Sequence, residues 1–302
     1  MVEHYKTLQK EYLHWLKVLG YSEATQGICK NAIQLFFEWL KDKNLIHITQ
    51  LENSHINAYF DYLQERKNRK RAGGLSHSYL NKQFDGVDKF LQFLQQNNYP
   101  KILPPTNFRI KKSKIEKVYS IVPFTQTEIK TLIAQIPQSC QNLNNQKKEQ
   151  KEQQLNLIFI LYYGCGLRKS EGLKLTVNDI DFDNKTLFIR QGKGYKDRII
   201  PLSENIYNSL KNYVYNFRNQ TKIEHNQLFI NPTETLIGWL KDLQKDSNSQ
   251  AIKSKRLTFH ILRHTIATHL LQNGMSVENI ALFLGHSSLT STQIYTHMIE
   301  QL

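Results

Sequence analysis

DIDFDNKTLFIRQGKGYKDRIIPL, residues 179–202, alternates apolar and polar side chains around an Asp183-Asn184 turn and a second turn at Gly192 to Gly194. A period of two sends successive side chains to opposite faces of a strand, so the stretch reads as a small antiparallel sheet. Outward from it the apolar period lengthens to that of helices. Residues 155–175 read as a buried helix, a break at Gly164 and Gly166, and a second helix opening with RKSEGLKL. A further helix is expected from Thr125 or Thr127 to about Ile136, and QSCQNLNNQKKEQKEQQ (138–154) is expected to be a flexible excursion or a frayed helix end. Past the sheet the chain reads as helical, apart from a short strand expected at LFI (228–230), with QKDSNSQAIKSK (244–255) lengthening a loop.

The first hundred residues carry helical spacing alone. Leu8, Tyr12, Trp15, Leu16 and Leu19 form one apolar face, Ile33, Phe36, Phe37 and Leu40 a second, and two more follow around Ile56 to Leu63 and Leu80 to Leu94. Ser22 is expected to cap the second helix, and Asn53 or Ser54 the third. Four to five amphipathic helices make a small all-α domain. From Tyr99 the chain becomes rich in proline, with Pro100, Pro104 and Pro105, and holds five basic residues between Arg109 and Lys117, which reads as a linker. The expected organisation is an all-α domain at 1–108, a basic linker at 109–122, and at 123–302 a mostly helical domain with a small antiparallel β-sheet. The fold class is mainly α (α+β).

Across 302 residues, 40 Lys and Arg oppose 26 Asp and Glu, a formal excess of 14 positive charges. Such a surface favours a polyanionic partner, because binding releases counterions condensed on nucleic acid, though charge alone also serves solubility. Two clusters are dense enough to contact a DNA backbone: Arg66, Lys67, Arg69, Lys70 and Arg71, and the linker residues Lys111, Lys112 and Lys114. The alternative for both is a solvated surface. No run approaches the roughly 18 apolar residues of a membrane span, and MVEHYKTLQKEYLHWL lacks a signal-peptide core, so the expected location is cytoplasmic with no membrane partner. Cys29, Cys140 and Cys165 are scattered and lack zinc or redox spacing, and read as free thiols.

Five short words in the second half bear chemistry: GCGLRKSE with Arg168, QGKGYKDR with Lys193, HILRH with His260 and Arg263, LGHSS with His286, and IYTHM with Tyr295. Singly each has an ordinary explanation: a surface Arg-Glu pair, a glycine turn, polar neighbours on a helix, or a helix-turn-helix reader in LFLGHSSLTSTQIY. Together they match what phosphodiester cleavage without a metal demands. Charge accumulates on the non-bridging oxygens of the attacked phosphate, and two arginines, Arg168 and Arg263, can clamp them with permanently charged, bidentate donors. A phenol nucleophile must lose its proton and the departing oxygen must gain one, tasks suited to histidine and lysine.

The order and spacing Arg168, Lys193, His260-x-x-Arg263, His286, Tyr295 resembles the active site of the tyrosine recombinase (phage integrase) family, over roughly residues 123–302. The helical N-terminal stretch is similar to the core-binding domain of its simpler, Xer-like members. The resemblance implies that Tyr295 attacks the scissile phosphate and becomes joined to the 3′ phosphate. It implies that Arg168, Arg263 and His286 bind that phosphate, Lys193 protonates the leaving 5′ hydroxyl, and His260 accepts or positions the tyrosine proton. It further implies a clamp on double-stranded DNA target sites, strand exchange through a Holliday junction, no cofactor and no metal, and a homotetramer on paired sites from a protein expected to be monomeric when free. The chain shows no additional arm-binding module ahead of the helical domain, unlike the phage-lambda-like integrases, and THMIEQL after Tyr295 is short beside the docking helix common in the family. A type IB topoisomerase or telomere resolvase shares this chemistry, and a non-catalytic DNA-binding protein shares the fold. An activator protein, the target sequence, and the choice among chromosome-dimer resolution, integron-type cassette insertion and transposition of a mobile element stay open.

Overall fold

The computed structural model describes residues 3–68, 72–97, 99, 110, 122–190, 197–221 and 223–285. The chain divides into two compact units, Met1–Ser113 and Lys114–Leu302.

Among the described residues of the first unit, four helices surround an aromatic core: α1 (Glu3–Val18), α2 (Glu23–Asp42), α3 (Asn53–Glu65) and α4 (His77–Gln96). Ser22 and Ser76 cap α2 and α4 by accepting from the backbone N–H groups of Thr25 and Tyr79, each at 3.3 Å. The third cap falls one residue earlier than the sequence suggests. The N–H of Glu52 donates to Nδ1 of His55 at 3.1 Å, so Asn53 is already helical. Tyr5, Leu8, Tyr12 and Leu16 on α1 meet Phe36, Phe37, Phe84 and Phe90 in the core, while Leu19 stays exposed because α1 stops before it and Gly20 turns the chain at φ +70°. The amphipathic spacing of these helices therefore selects the buried face, and the rings fill it.

The second unit begins with α5 (Gln126–Ala134), capped by Thr125, whose hydroxyl accepts from the N–H of Glu128 at 3.1 Å. Residues 138–154 correct the expectation of a flexible excursion. They form a short 3₁₀ turn and then α6 (Asn145–Ile158), which continues as a π-helical turn, Phe159–Gly164. Their polar letters are used inside the fold: the amine of Lys151 donates to the carbonyl of Ser139 at 3.0 Å, and the fully buried Gln154 donates to the Tyr213 hydroxyl at 2.7 Å. After α7 (Lys169–Lys174) come β1 (Ile180–Asp181), β2 (Thr186–Ile189) and β3 (Arg198–Pro201). They form one antiparallel sheet in sequence order, with Ile180 opposite Leu187 and Leu187 opposite Ile200. Asp181 closes the first turn by accepting from the N–H groups of Asp183 and Asn184.

Helices α8 (Glu204–Asn212), α9 (Thr233–Lys245), α10 (Gln250–Ser254), α11 (Phe259–Gln272) and α12 (Val277–Leu284) complete the described part of this unit. The strand expected at 228–230 is absent. Gln227 makes a single bridge with Thr176, and the N–H of Ile230 goes to the side chain of Gln154 at 3.1 Å, not to a strand partner. Part of the loop expected at 244–255 is likewise helical, because Ser249 caps α10 and Ile252 is buried.

Helices α2 and α4 lie close together at Gly86, where a Cβ would lie 2.4 Å from the Cβ of Ala32. Alanine is the better helix former by about 1 kcal/mol, but overpacking costs roughly 1–3 kcal/mol and should dominate. Gly86→Ala is expected to lower the melting temperature of the first unit. Gly27→Ala on α2, with nothing within 4 Å of its added Cβ, should leave it equal or higher. Thermal unfolding followed by hydrogen exchange in peptides of α2 and α4 checks both.

Candidate active site

Gly166 and Gly285 make the local architecture possible. Both have left-handed backbones, at φ +62° and +64°; Gly285 terminates α12, and a Cβ on Gly166 would lie 2.8 Å from Leu284 and Phe283. The turn carrying Arg168 can thus lie directly against the C-terminus of α12. Both candidate clamp arginines bind the carbonyls exposed there. Arg263, 4% exposed, donates from Nη1 to the carbonyl of Gly166 at 2.6 Å and from Nη2 to that of Leu284 at 2.8 Å. Arg168 donates from Nη2 to the carbonyl of Gly285. Cationic side chains at these orphan carbonyls complement the negative end of the helix dipole.

Glu171 joins the arginines. One oxygen accepts from Nη1 of Arg168 at 2.6 Å, and the pair of oxygens takes a two-pronged grip from Arg198 at 3.1 and 2.9 Å. Nη1 of Arg263 stands 3.9 Å away. Glu171 also accepts from the backbone N–H of Arg168 at 2.9 Å, which fixes the start of α7. Burial opposes its ionisation, but the hydrogen bonds and charge of Arg198, with those of Arg168, outweigh it and hold the carboxyl at about 2. Among the described residues, this one carboxylate faces three guanidinium groups.

His260 stands at the start of α11, exposed, with Arg263 one turn on. Partial desolvation, then the charges of Arg263, Lys169 and Arg168, lower its pKa, so it is neutral near pH 7 and able to take up a proton. His264, whose ring centre lies 6.1 Å from that of His260, is pushed to about 4 by burial and then by His260 and Arg263.

Arg168 and Arg263 are therefore gathered around one carboxylate and one helix end, with His260 beside them. Lys193, His286 and Tyr295 lie outside the described residues. Lys193 belongs to the connection between β2 and β3, and His286 directly follows Gly285 in the chain. Sequence reasoning missed Glu171 and Arg198, although both stand in the words GLRKSE and GKGYKDR. An Arg-x-x-Glu pair at the start of a helix has the same letters on a surface as in a buried cluster. Among the described residues no group of His, Cys, Asp and Glu is placed to hold a metal ion.

Of the basic clusters, Arg66 follows the last residue of α3, and Lys67 makes an isolated antiparallel bridge with Gly74, with Asn68 donating to the carbonyl of Gly73 at 2.9 Å. Arg69, Lys70, Arg71, Lys111, Lys112 and Lys114 lie outside the described residues.

Removing the Glu171 charge strands buried cations, so Glu171→Gln is expected to lose on the order of 3–5 kcal/mol. The pH dependence has a definite sign. A carboxyl with its pKa lowered by folding contributes fully above its ordinary value of 4.5, and that contribution fades as the pH falls toward about 2. Denaturant titrations between these limits should show stability falling with acid more steeply in the wild type than in Glu171→Gln.

The model of the Phage integrase family matches residues 124–301. A tyrosine recombinase of Pseudothermotoga lettingae is 30% identical over 268 residues, covering 86% of this chain and 82% of the relative. Tyrosine recombinase XerC of Pediococcus pentosaceus is 29% identical over 291 residues, covering 93% and 89%. The fold is shared with the XerH site-specific recombinase solved on a palindromic difH substrate in a post-cleavage complex. That likeness has a TM-score of 0.69 and 16% identity, over 100% of this chain and 95% of that one. The Tn1549 transposon integrase, solved with transposon right end DNA, aligns at a TM-score of 0.65 and 19% identity over 97% and 98%. The chain belongs to the phage integrase family and is a tyrosine recombinase, an enzyme that breaks and rejoins DNA strands through a tyrosine nucleophile.

Proposed function

We propose that Tyr295 is the nucleophile, acting on double-stranded DNA target sites with Arg168, Lys193, His260, Arg263 and His286. The observation that carries this reading is the convergence of Arg168 and Arg263 on the carbonyls of Gly285 and Leu284. These are the residues that hand the chain on to His286, nine positions before Tyr295. In this reading the phenol oxygen of Tyr295 bonds to the scissile phosphorus and the bond to the 5′ oxygen breaks. The two guanidinium groups and His286 hold the non-bridging oxygens as their charge grows. Neutral His260 receives or positions the phenolic proton, and Lys193 supplies one to the departing 5′ oxygen. The 3′ phosphotyrosine retains the bond energy, so a 5′ hydroxyl from another strand can reverse the step.

The first unit serves as the core-binding domain in this proposal. Arg66, Lys67, Arg69, Lys70, Arg71, Lys111, Lys112 and Lys114 contact backbone phosphates and position the DNA without reading its sequence. XerH is solved on its difH substrate, and the Tn1549 integrase on transposon DNA, which supports duplex DNA as the partner here. The excess of 14 positive charges agrees with it. We propose a monomer in free solution, a homotetramer on paired sites, and a cytoplasmic location; no helix of the described residues is long and apolar enough to cross a membrane.

Tyr295→Phe is expected to bind DNA as the wild type does and to form no detergent-resistant adduct; an adduct in that variant would refute the assignment. Arg168→Ala should slow cleavage on the order of a hundredfold or more, equivalent to several kcal/mol of barrier, with the folded fraction checked by circular dichroism. Near-normal cleavage would remove Arg168 from the phosphate clamp. Neutralising members of the 66–71 cluster should flatten the dependence of log affinity on log salt, by nearly one unit of slope for each DNA phosphate that is no longer neutralised. An unchanged slope would return the cluster to a solvated surface.

A further inference from the structure

Pro123 and Phe124 lie just ahead of α5 in the second unit, and side chains from the segment around HILRH take up the polar backbone groups of these two residues. The N–H of Phe124 donates to the hydroxyl of Thr265 at 3.2 Å, and the carbonyl of Phe124 lies 2.9 Å from Nε2 of His269. The carbonyl of Pro123 accepts from Nζ of Lys255 at 2.9 Å, while the same amine pairs with Glu128 at 2.6 Å and sits 5.4 Å from the centre of the Phe124 ring. Phe124, Thr265 and His269 are all buried. Loop backbone usually satisfies itself with water or with other backbone, so burying a dipeptide against dedicated side chains commits several polar residues to one position.

These contacts also reach both arginine-bearing elements. Thr265 and His269 are on α11, as is Arg263. The other ring nitrogen of His269, Nδ1, lies 3.0 Å from the hydroxyl of Tyr163. Tyr163 belongs to the π-helical turn that runs through Gly164 into Gly166 and Arg168. Because a carbonyl can only accept, Nε2 of His269 carries a proton toward Phe124. Burial lowers the pKa of His269, against the opposing bond to the Phe124 carbonyl, so the ring is neutral and Nδ1 accepts from Tyr163.

We infer that Tyr163, Lys255, Thr265 and His269 are positioning residues that latch the Pro123–Phe124 segment to α11, which carries Arg263, and to the turn that leads to Arg168, and so fix the spacing of the phosphate clamp. The inference rests on the proposed clamp role of those arginines. None of the four touches DNA or the reacting atoms in this account. Their effect arises because a displacement near 1 Å at a catalytic group slows a reaction on the order of a hundredfold.

The test uses the full chain and a nicked duplex whose sequence is recovered by covalent capture on the wild-type protein from random duplex DNA. Thr265→Val and Tyr163→Phe each remove one hydroxyl with little change of shape. Both should slow single-turnover adduct formation by ten- to hundredfold while the dissociation constant for the same duplex stays within about twofold. Thr265→Ser should restore the rate. Rates of the two hydroxyl variants equal to wild type would overturn the inference. A variant that lost DNA binding and rate together, unrescued by serine, would show a purely structural role and also overturn it. Absence of any wild-type adduct would instead overturn the proposed catalytic assignment.

Discussion

The carboxylate of Glu171, gripped by Arg198 and Arg168 and close to Arg263, is the interaction on which the arrangement of the second unit turns. It ties β3, the start of α7 and the middle of α11 to one point. Three like charges could not be drawn together in a partly desolvated place without a counter-charge, and the depressed pKa of Glu171 records how strongly they hold it ionised. Among the described residues, Glu171 is the carboxylate that faces these guanidinium groups. In the proposed role, an incoming phosphate would find donors already oriented, and little reorganisation would remain as charge develops on its oxygens.

Backbone geometry lets that cluster form. The π-helical turn Phe159–Gly164 ends α6, and Gly166 then adopts a left-handed conformation with no room for a side chain against Leu284 and Phe283. The close approach presents the last carbonyls of α12 to both arginines. Tyr162 supports the same region from beneath: its hydroxyl donates to the carbonyl of Lys169 at 3.1 Å and fills the space that a side chain at residue 172 would need. Helix ends, glycines and guanidinium groups thus form one mutually dependent packing unit, with His260 at its rim.

Much of the fold was legible because helices and strands leave periods in the placement of apolar residues. The faces of α1 to α4, the turn at Asp183-Asn184 and the three-stranded sheet all follow from such periods. The misreadings at 138–154 and 228–230 share one cause: polar letters used in the interior. Lys151 and Gln154 made α6 look like solvent-exposed chain, although both are buried against hydrogen-bond partners, and Gln154 takes the N–H that a strand at 228–230 would have used. Composition reports polarity, and a satisfied buried amide has the same letter as a hydrated one.

By itself the sequence determined the helical and extended segments, the positive charge, and the residue types and spacing that mark the family, because each is a local or compositional property. It also contained Arg168, His260 and Arg263 as candidates. Tertiary structure alone decided that Arg168 and Arg263 share a helix end, that Glu171 and Arg198 join them, and that Phe124 is held by Thr265 and His269. Those partners are up to 145 residues apart in the chain. No period or motif encodes which distant carbonyl a guanidinium will meet; that is settled when apolar burial brings the helices together and each buried polar group must find a partner.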